Sequence, residues 1–238
     1  MSEPKLETCL SPALFHLFEP KGKTVVIIDV LRATSTICTA LHHGVASVCA
    51  VGSLEDCKAK AGLNTILAAE RGGGKPTGFE FGNSPYDYMN DSVAGKKLVL
   101  TTTNGTRALL AAREAEEILI GSFLNIEVIS NYLRKNNSDV ILFCAGWKDH
   151  FSFEDTLFAG AMVQKLAATH RLADDASLGA KVLYQQAEAD LFGALKNSSH
   201  FKRLEKMGIE RDLKYCTQKD TCPVLPILHE GEIVKMEF

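Results

Sequence analysis

Short runs of apolar residues alternate along this chain with segments whose apolar positions recur at helical spacing, most regularly between residues 24 and 144. Thr24 to Val30, TVVIIDV, reads as a buried strand with a polar residue near its C-terminal end. Ala33 to His43 follows with helical spacing, then a strand over Val45 to Val51 and a helix over Leu54 to Ala61 for which Ser53 is the expected N-cap. Thr65 to Ala69 reads as a third strand, and Glu70 to Pro85 as a glycine-rich loop. Lys97 to Thr102, Glu117 to Gly121 and Asp139 to Cys144 are further strands, separated by helices over Gly105 to Arg113 and Ile126 to Lys135.

Strands that alternate with helices in this way imply right-handed crossovers and an α/β fold, with a largely parallel sheet covered by helices on both faces. Beyond Phe153 the pattern turns mostly helical, over Asp155 to His170, Ser177 to Ala187 and Ser198 to Met207. Cys222 to Leu228 adds a candidate edge strand, weakened by Pro223 and Pro226. The expectation is a single α/β unit over 1–238, open to division into two subdomains of about 1–150 and 151–238 with the site between them.

Composition narrows the function. A net charge of −3 gives no general affinity for nucleic acid or an anionic membrane, so a small anionic substrate has to be held by local cations. No apolar run approaches the length of a membrane span and the N-terminus lacks a signal-peptide pattern, so a cytoplasmic protein is expected. The seven cysteines are odd in number and form no CxxC pair, which favours free thiols over a disulfide framework or zinc.

Polar, glycine-rich or charged segments follow the predicted strands directly: Asp29 to Arg32, Glu70 to Gly74, Thr101 to Thr106 and Cys144 to Gly146. In a parallel sheet the strand C-termini and the helix starts that follow them form the ligand crevice, so these segments should converge. Thr102, Thr103, Asn104, Gly105, Thr106 and Arg107 gather hydroxyls, backbone N–H groups and a guanidinium at a helix start, which suits an oxyanion; an ordinary capped helix is the other reading. Asp29 and Arg32 suit a hard cation and a phosphate respectively, or form a buried ion pair. Glu154 and Asp155 offer further oxygen ligands, although acidic residues in a first helical turn also complement the helix dipole. Arg71, Asn83 and Ser84 lie in a loop that reads as substrate-binding, and His200 is a candidate site residue. Cys144, at the end of an apolar strand, reads as inert core.

Several common mechanisms are excluded by inspection. His150 stands where a cysteine phosphatase built on Cys144 needs an arginine, and Leu31 where an aspartyl-phosphate motif built on Asp29 needs a second aspartate. Lys75 is followed by Pro76, so there is no Walker loop, and no GxGxxG opens a helix.

The same segments in order resemble the 2-phosphosulfolactate phosphatase family: IDVLRATST (Ile28 to Thr36), AERGGGKPTGFEFGNSP (Ala69 to Pro85), TTTNGTRAL (Thr101 to Leu109), CAGWKDHFSFEDTLFAGAM (Cys144 to Met162) and SSHFKRLEKMGIERDLKYCTQKD (Ser198 to Asp220). The resemblance spans nearly the whole chain. It implies a family-specific α/β topology and magnesium-dependent hydrolysis of 2-phospho-3-sulfolactate to 3-sulfolactate and phosphate, an early step of coenzyme M formation. Within the matching segments, Asp29, Glu154 and Asp155 are expected to bind Mg²⁺, and these three with His200 to form the catalytic group. The Thr102 to Thr106 turn and Arg107 are expected to hold phosphate, with Arg71 or Arg32 on the carboxylate or sulfonate. Asp29 as nucleophile is an open alternative. The other functional readings are a phosphatase or lyase acting on a different phosphorylated hydroxy acid, and a non-catalytic sensor of an anionic metabolite. A homodimer is the expected assembly.

Overall fold

The computed structural model describes residues 3–102 and 104–237. Among them the chain forms β1 (Lys5–Cys9), β2 (Thr24–Ile28), α1 (Ala33–His42), β3 (Ser47–Ala50), α2 (Leu54–Ala59) and β4 (Thr65–Ala69). Then come β5 (Lys97–Thr101), α3 (Gly105–Ala111), β6 (Glu117–Gly121), α4 (Ile126–Asn136), β7 (Val140–Cys144) and α5 (Phe153–Leu166). The remainder is β8 (Arg171–Leu172), α6 (Asp175–Ala187), α7 (Leu191–Leu195), α8 (Ser199–Glu205), α9 (Glu210–Cys216), β9 (Pro226–His229) and β10 (Glu232–Lys235). Ser53 caps α2 by accepting the Asp56 N–H.

The strands make one sheet in the order β4-β5-β3-β10-β9-β6-β2-β7-β1-β8. Its centre is buried throughout: every residue of β2 and of β7 is buried, as strands covered on both faces must be. Alternation along β2 shows the covering layers. Val26 and Ile28 pack with α4, α5 and α6, whereas Val25 and Ile27 pack with α1 and α3. The first of these cores draws on both halves of the chain, from Leu6 to Leu225. Helices α5 and α6 cross so closely that a Cβ at Gly160 would lie 2.0 Å from the Ala180 carbonyl oxygen.

The segment expected at an edge lies instead in the middle of the sheet. β9 and β10 form a hairpin, antiparallel to each other and to the strands beside them. Pro226 is tolerated because it opens its strand, where no ladder N–H is required. The parallel block β4-β5-β3 therefore runs opposite in sense to the parallel block β6-β2-β7-β1-β8. In a flat sheet their C-terminal ends would point to opposite edges. The hairpin joins the blocks through single registered pairs, Ile233 with Val48 and Leu119 with Ile227. Ile27 and Ile120 of one block share an apolar cavity with Ala50 and Leu100 of the other, so the sheet curls around α1 and α3. That curl brings the end of β5 to the end of β2.

Candidate active site

The loops after β2, β4, β5 and β7 meet α8 around a cavity of about 170 Å³. Its wall includes Asp29 and Arg32, Glu70 with Gly72 and Gly73, Asn83, Thr102 and Asn104, Trp147 and Lys148, and His200 with Arg203. Asp29 follows the last residue of β2, and its carbonyl accepts the Thr34 N–H as α1 begins. The turn into α3 presses against it: a Cβ at Gly105 would lie 3.1 Å from Asp29 Oδ2. Glycine is what permits that approach. Burial, with the Glu70 and Glu154 charges and against the pull of His200, raises the Asp29 carboxyl to about 6.

Across the cavity His200 hydrogen-bonds through Nδ1 to Glu154 Oε1, at the first turn of α5. Ser152 caps that helix on the Asp155 N–H. Burial opposes the Glu154 charge, but the His200 hydrogen bond and charge outweigh it and hold the carboxyl below the ordinary glutamate range. Glu154 Oε2 is buried with no hydrogen-bond partner, and so is Asn83 Oδ1. Glu154 also lines a second cavity of about 570 Å³, for which Trp147 and His200 serve as the shared wall.

Asp155 bridges two loops of the site. Its two oxygens accept the backbone N–H groups of Val30, at 2.9 Å, and Gly146, at 3.1 Å, tying the β2 loop to the β7 loop. Burial and the Glu154 and Asp29 charges push its carboxyl well above the ordinary range. Each oxygen thus holds one backbone N–H, and Asp155 braces the site by joining the two loops.

The three expected arginines separate. Arg32 lines the cavity but is buried and fixed, pairing through Nη1 with Asp212 and through Nη2 with the Gly73 carbonyl at 2.8 Å. Arg71 turns away and bonds the Glu70 carbonyl and Thr101 Oγ1, which fastens the ends of β4 and β5 together. Arg107 is exposed and pairs with Asp149 at 3.0 Å, outside the cavity wall. Thr102 and Asn104 reach the cavity, the Thr106 hydroxyl bonds only Thr102 among the described residues, and Thr103 lies outside those residues. Asn83 lines the cavity, and Ser84 donates to Asp212 Oδ1 at 3.0 Å. Cys144 is fully buried, its thiol held well above the ordinary range by burial.

Four contributors were not singled out from the sequence. Asp212 is buried and holds both Arg32 and Ser84. Trp147, Lys148 and Arg203 form part of the wall, with Lys148 Nζ 4.8 Å and Arg203 Cζ 4.7 Å from the Trp147 ring centre. The signal for Trp147 and Lys148 was their place directly after the Cys144 to Gly146 segment; Asp212 and Arg203 lie on short helices with no local signal.

Among the described residues no three Asp, Glu, His or Cys side chains gather to hold a metal by themselves. Mg²⁺ is commonly held by one or two carboxylates, with water and substrate phosphate completing the shell. The raised, cavity-facing Asp29 carboxyl and the unpartnered Glu154 oxygen fit that sparser demand.

A family model described as 2-phosphosulpholactate phosphatase matches residues 9–231. A protein of Thermotoga petrophila, named probable 2-phosphosulfolactate phosphatase, is 41% identical over 216 residues, covering 91% of this chain and 93% of that protein. Proteins of the same name from Caldanaerobacter subterraneus and Clostridium acetobutylicum are each 40% identical. They cover 89% and 90% of this chain, and 90% and 93% of their own lengths.

Proposed function

Because this chain belongs to the 2-phosphosulfolactate phosphatase family, we propose that it hydrolyses 2-phospho-3-sulfolactate to 3-sulfolactate and phosphate in the cavity between Asp29 and His200. The observation that carries the reading is the pairing of opposite functions across one small space. On one side is a buried carboxyl raised to about 6; on the other is an imidazole anchored by a buried glutamate. Arg32, Lys148 and Arg203 supply three cations around it, one for each acidic group of the substrate.

In this mechanism water attacks phosphorus and the bond from phosphorus to the C2 oxygen breaks. The alkoxide that leaves needs a proton. His200 is the donor, because Glu154 occupies Nδ1 and orients the ring, leaving Nε2 as the nitrogen that can meet the leaving oxygen. Asp29 carries the negative charge opposite, and Arg32, already oriented by Asp212 and Gly73, receives substrate without reorganising. Mg²⁺, held by Asp29 with Glu154, would supply charge neutralisation on the transferring phosphoryl group. Asp155 keeps the two loops in register, so that Asp29 and Glu154 stay on one side of the sheet.

Phosphate release measured across a panel of small phosphate esters tests the substrate. The sulfonated three-carbon ester should be turned over fastest; equal or faster turnover of a phosphorylated hydroxy acid without sulfonate would move the function to that substrate. Among the described residues no helix is long and apolar enough to cross a membrane; the water-soluble ester makes the cytoplasm the proposed place of the reaction.

A further inference from the structure

Two cations on the cavity wall, Lys148 and Arg203, have no carboxylate within ion-pair distance among the described residues. Arg32 differs, since Asp212 already balances its charge. The two come from separate parts of the chain, the turn after β7 and helix α8, and meet over the ring of Trp147. The turn is held rigidly. Trp147 and His150 exchange backbone hydrogen bonds, Ser11 Oγ donates to the Asp149 carbonyl at 2.5 Å, and Arg107 grips the Asp149 carboxylate. Arg107 thus serves the site at one remove, by fixing the turn that carries Lys148. Arg203 is steadied on its other side by the Gly72 carbonyl, at 3.3 Å.

We propose that Lys148 and Arg203, seated on Trp147, form the subsite that recognises the sulfonate of the substrate, and so set the preference for a sulfonated ester over its unsulfonated analogue. The proposal rests on the hydrolytic reading above. The phosphate has to lie between Asp29 and His200, and the carboxylate shares the carbon that bears it. The acid on C3 is the one that can extend toward Trp147. A carboxylate presents two coplanar oxygens that one guanidinium fork can match. A sulfonate presents three oxygens in a cone, which suits two cations approaching from different directions.

The test compares wild type with Lys148→Met, Arg203→Met and the charge-keeping Arg203→Lys. Steady-state kinetics are run on 2-phospho-3-sulfolactate and on 2-phospholactate. Binding of 3-sulfolactate is followed by calorimetry and by the fluorescence of Trp147, the one tryptophan of the chain. Each Met variant should cut the ratio of kcat/KM values for the two esters about tenfold, mainly through KM for the sulfonated one. Each should weaken 3-sulfolactate about tenfold, and Arg203→Lys should recover most of both losses. Equal loss on the two esters, or unchanged 3-sulfolactate affinity in both Met variants, would overturn the subsite. If wild type releases phosphate from neither ester, the proposed reaction fails by itself, and the 3-sulfolactate titration still decides the subsite.

Discussion

Gly105 stands so close to Asp29 that a methyl group on its Cα would lie 3.1 Å from the carboxylate Oδ2 and 3.2 Å from Ala33 Cβ. Two strand ends from oppositely running blocks of the sheet are thereby locked together at the Asp29 carboxyl. Gly105→Ala should push Asp29 out of place. The backbone there is not in the left-handed region, and alanine favours a helix by roughly 1 kcal/mol over glycine. Turnover should fall about tenfold or more while the melting temperature stays within a few degrees. Unchanged kcat would show that Asp29 has room to move.

Asp29→Asn should abolish turnover and, in magnesium-free buffer, stabilise the protein near neutral pH. The folded carboxyl sits at about 6 against an ordinary 3.8, so ionising it works against the fold. Stability from the protonated form is complete below about pH 4 and is lost as pH rises through about 6. The advantage of the variant should be on the order of 2–3 kcal/mol at pH 8 and vanish near pH 4. Thermal melts of both proteins across that range check it; a variant less stable than wild type at pH 8 contradicts the cost of burying the Asp29 charge.

His200→Asn removes the group placed to protonate the leaving oxygen. A loss of about 10²-fold in kcat with KM changed only a few-fold is expected for that role. Glu154→Gln should lower kcat as well, since it removes the carboxylate that orients the ring. Steady-state kinetics with retained kcat in His200→Asn would leave the proton donor unassigned to this residue.

Asp212→Ala leaves the Arg32 guanidinium buried without its counter-charge and Ser84 without its acceptor. Breaking a buried pair from one side costs about 3 kcal/mol or more. Urea unfolding should show that loss and substrate KM should rise with it. Wild-type stability in the variant would mean that Arg32 is not held by this pair.

The strand ends were legible because short, continuous apolar and β-branched runs mark them directly, and β4 and β6 fall where the pattern places them. Asp29, Thr102 and the glycine-rich turn followed from their position after those strands. Sequence position says that a residue stands at a strand end, but not which way its side chain turns. Arg71 and Arg107 show this, each pairing within the scaffold at the edge of the cavity. Asp155 adjoins Glu154 in sequence, yet neighbours on a helix project about 100° apart: Asp155 accepts backbone N–H groups from two loops, whereas Glu154 Oε2 is buried without a hydrogen-bond partner. β1 was missed because its outward positions carry Lys5 and Glu7, and β10 because a four-residue strand gives too short a pattern. The hairpin that curls the sheet depends on partners more than a hundred residues away, which no local pattern encodes.

The central claim is that this cavity hydrolyses 2-phospho-3-sulfolactate with help from a divalent cation. Purified protein should be given that ester with Mg²⁺ and, separately, with the metal chelated, and phosphate and 3-sulfolactate should be quantified together. The two products should form in equal amounts with Mg²⁺ present and fall to background on chelation and in Asp29→Asn. Absence of phosphate release with Mg²⁺ present would contradict the reaction; full release after chelation would contradict the metal.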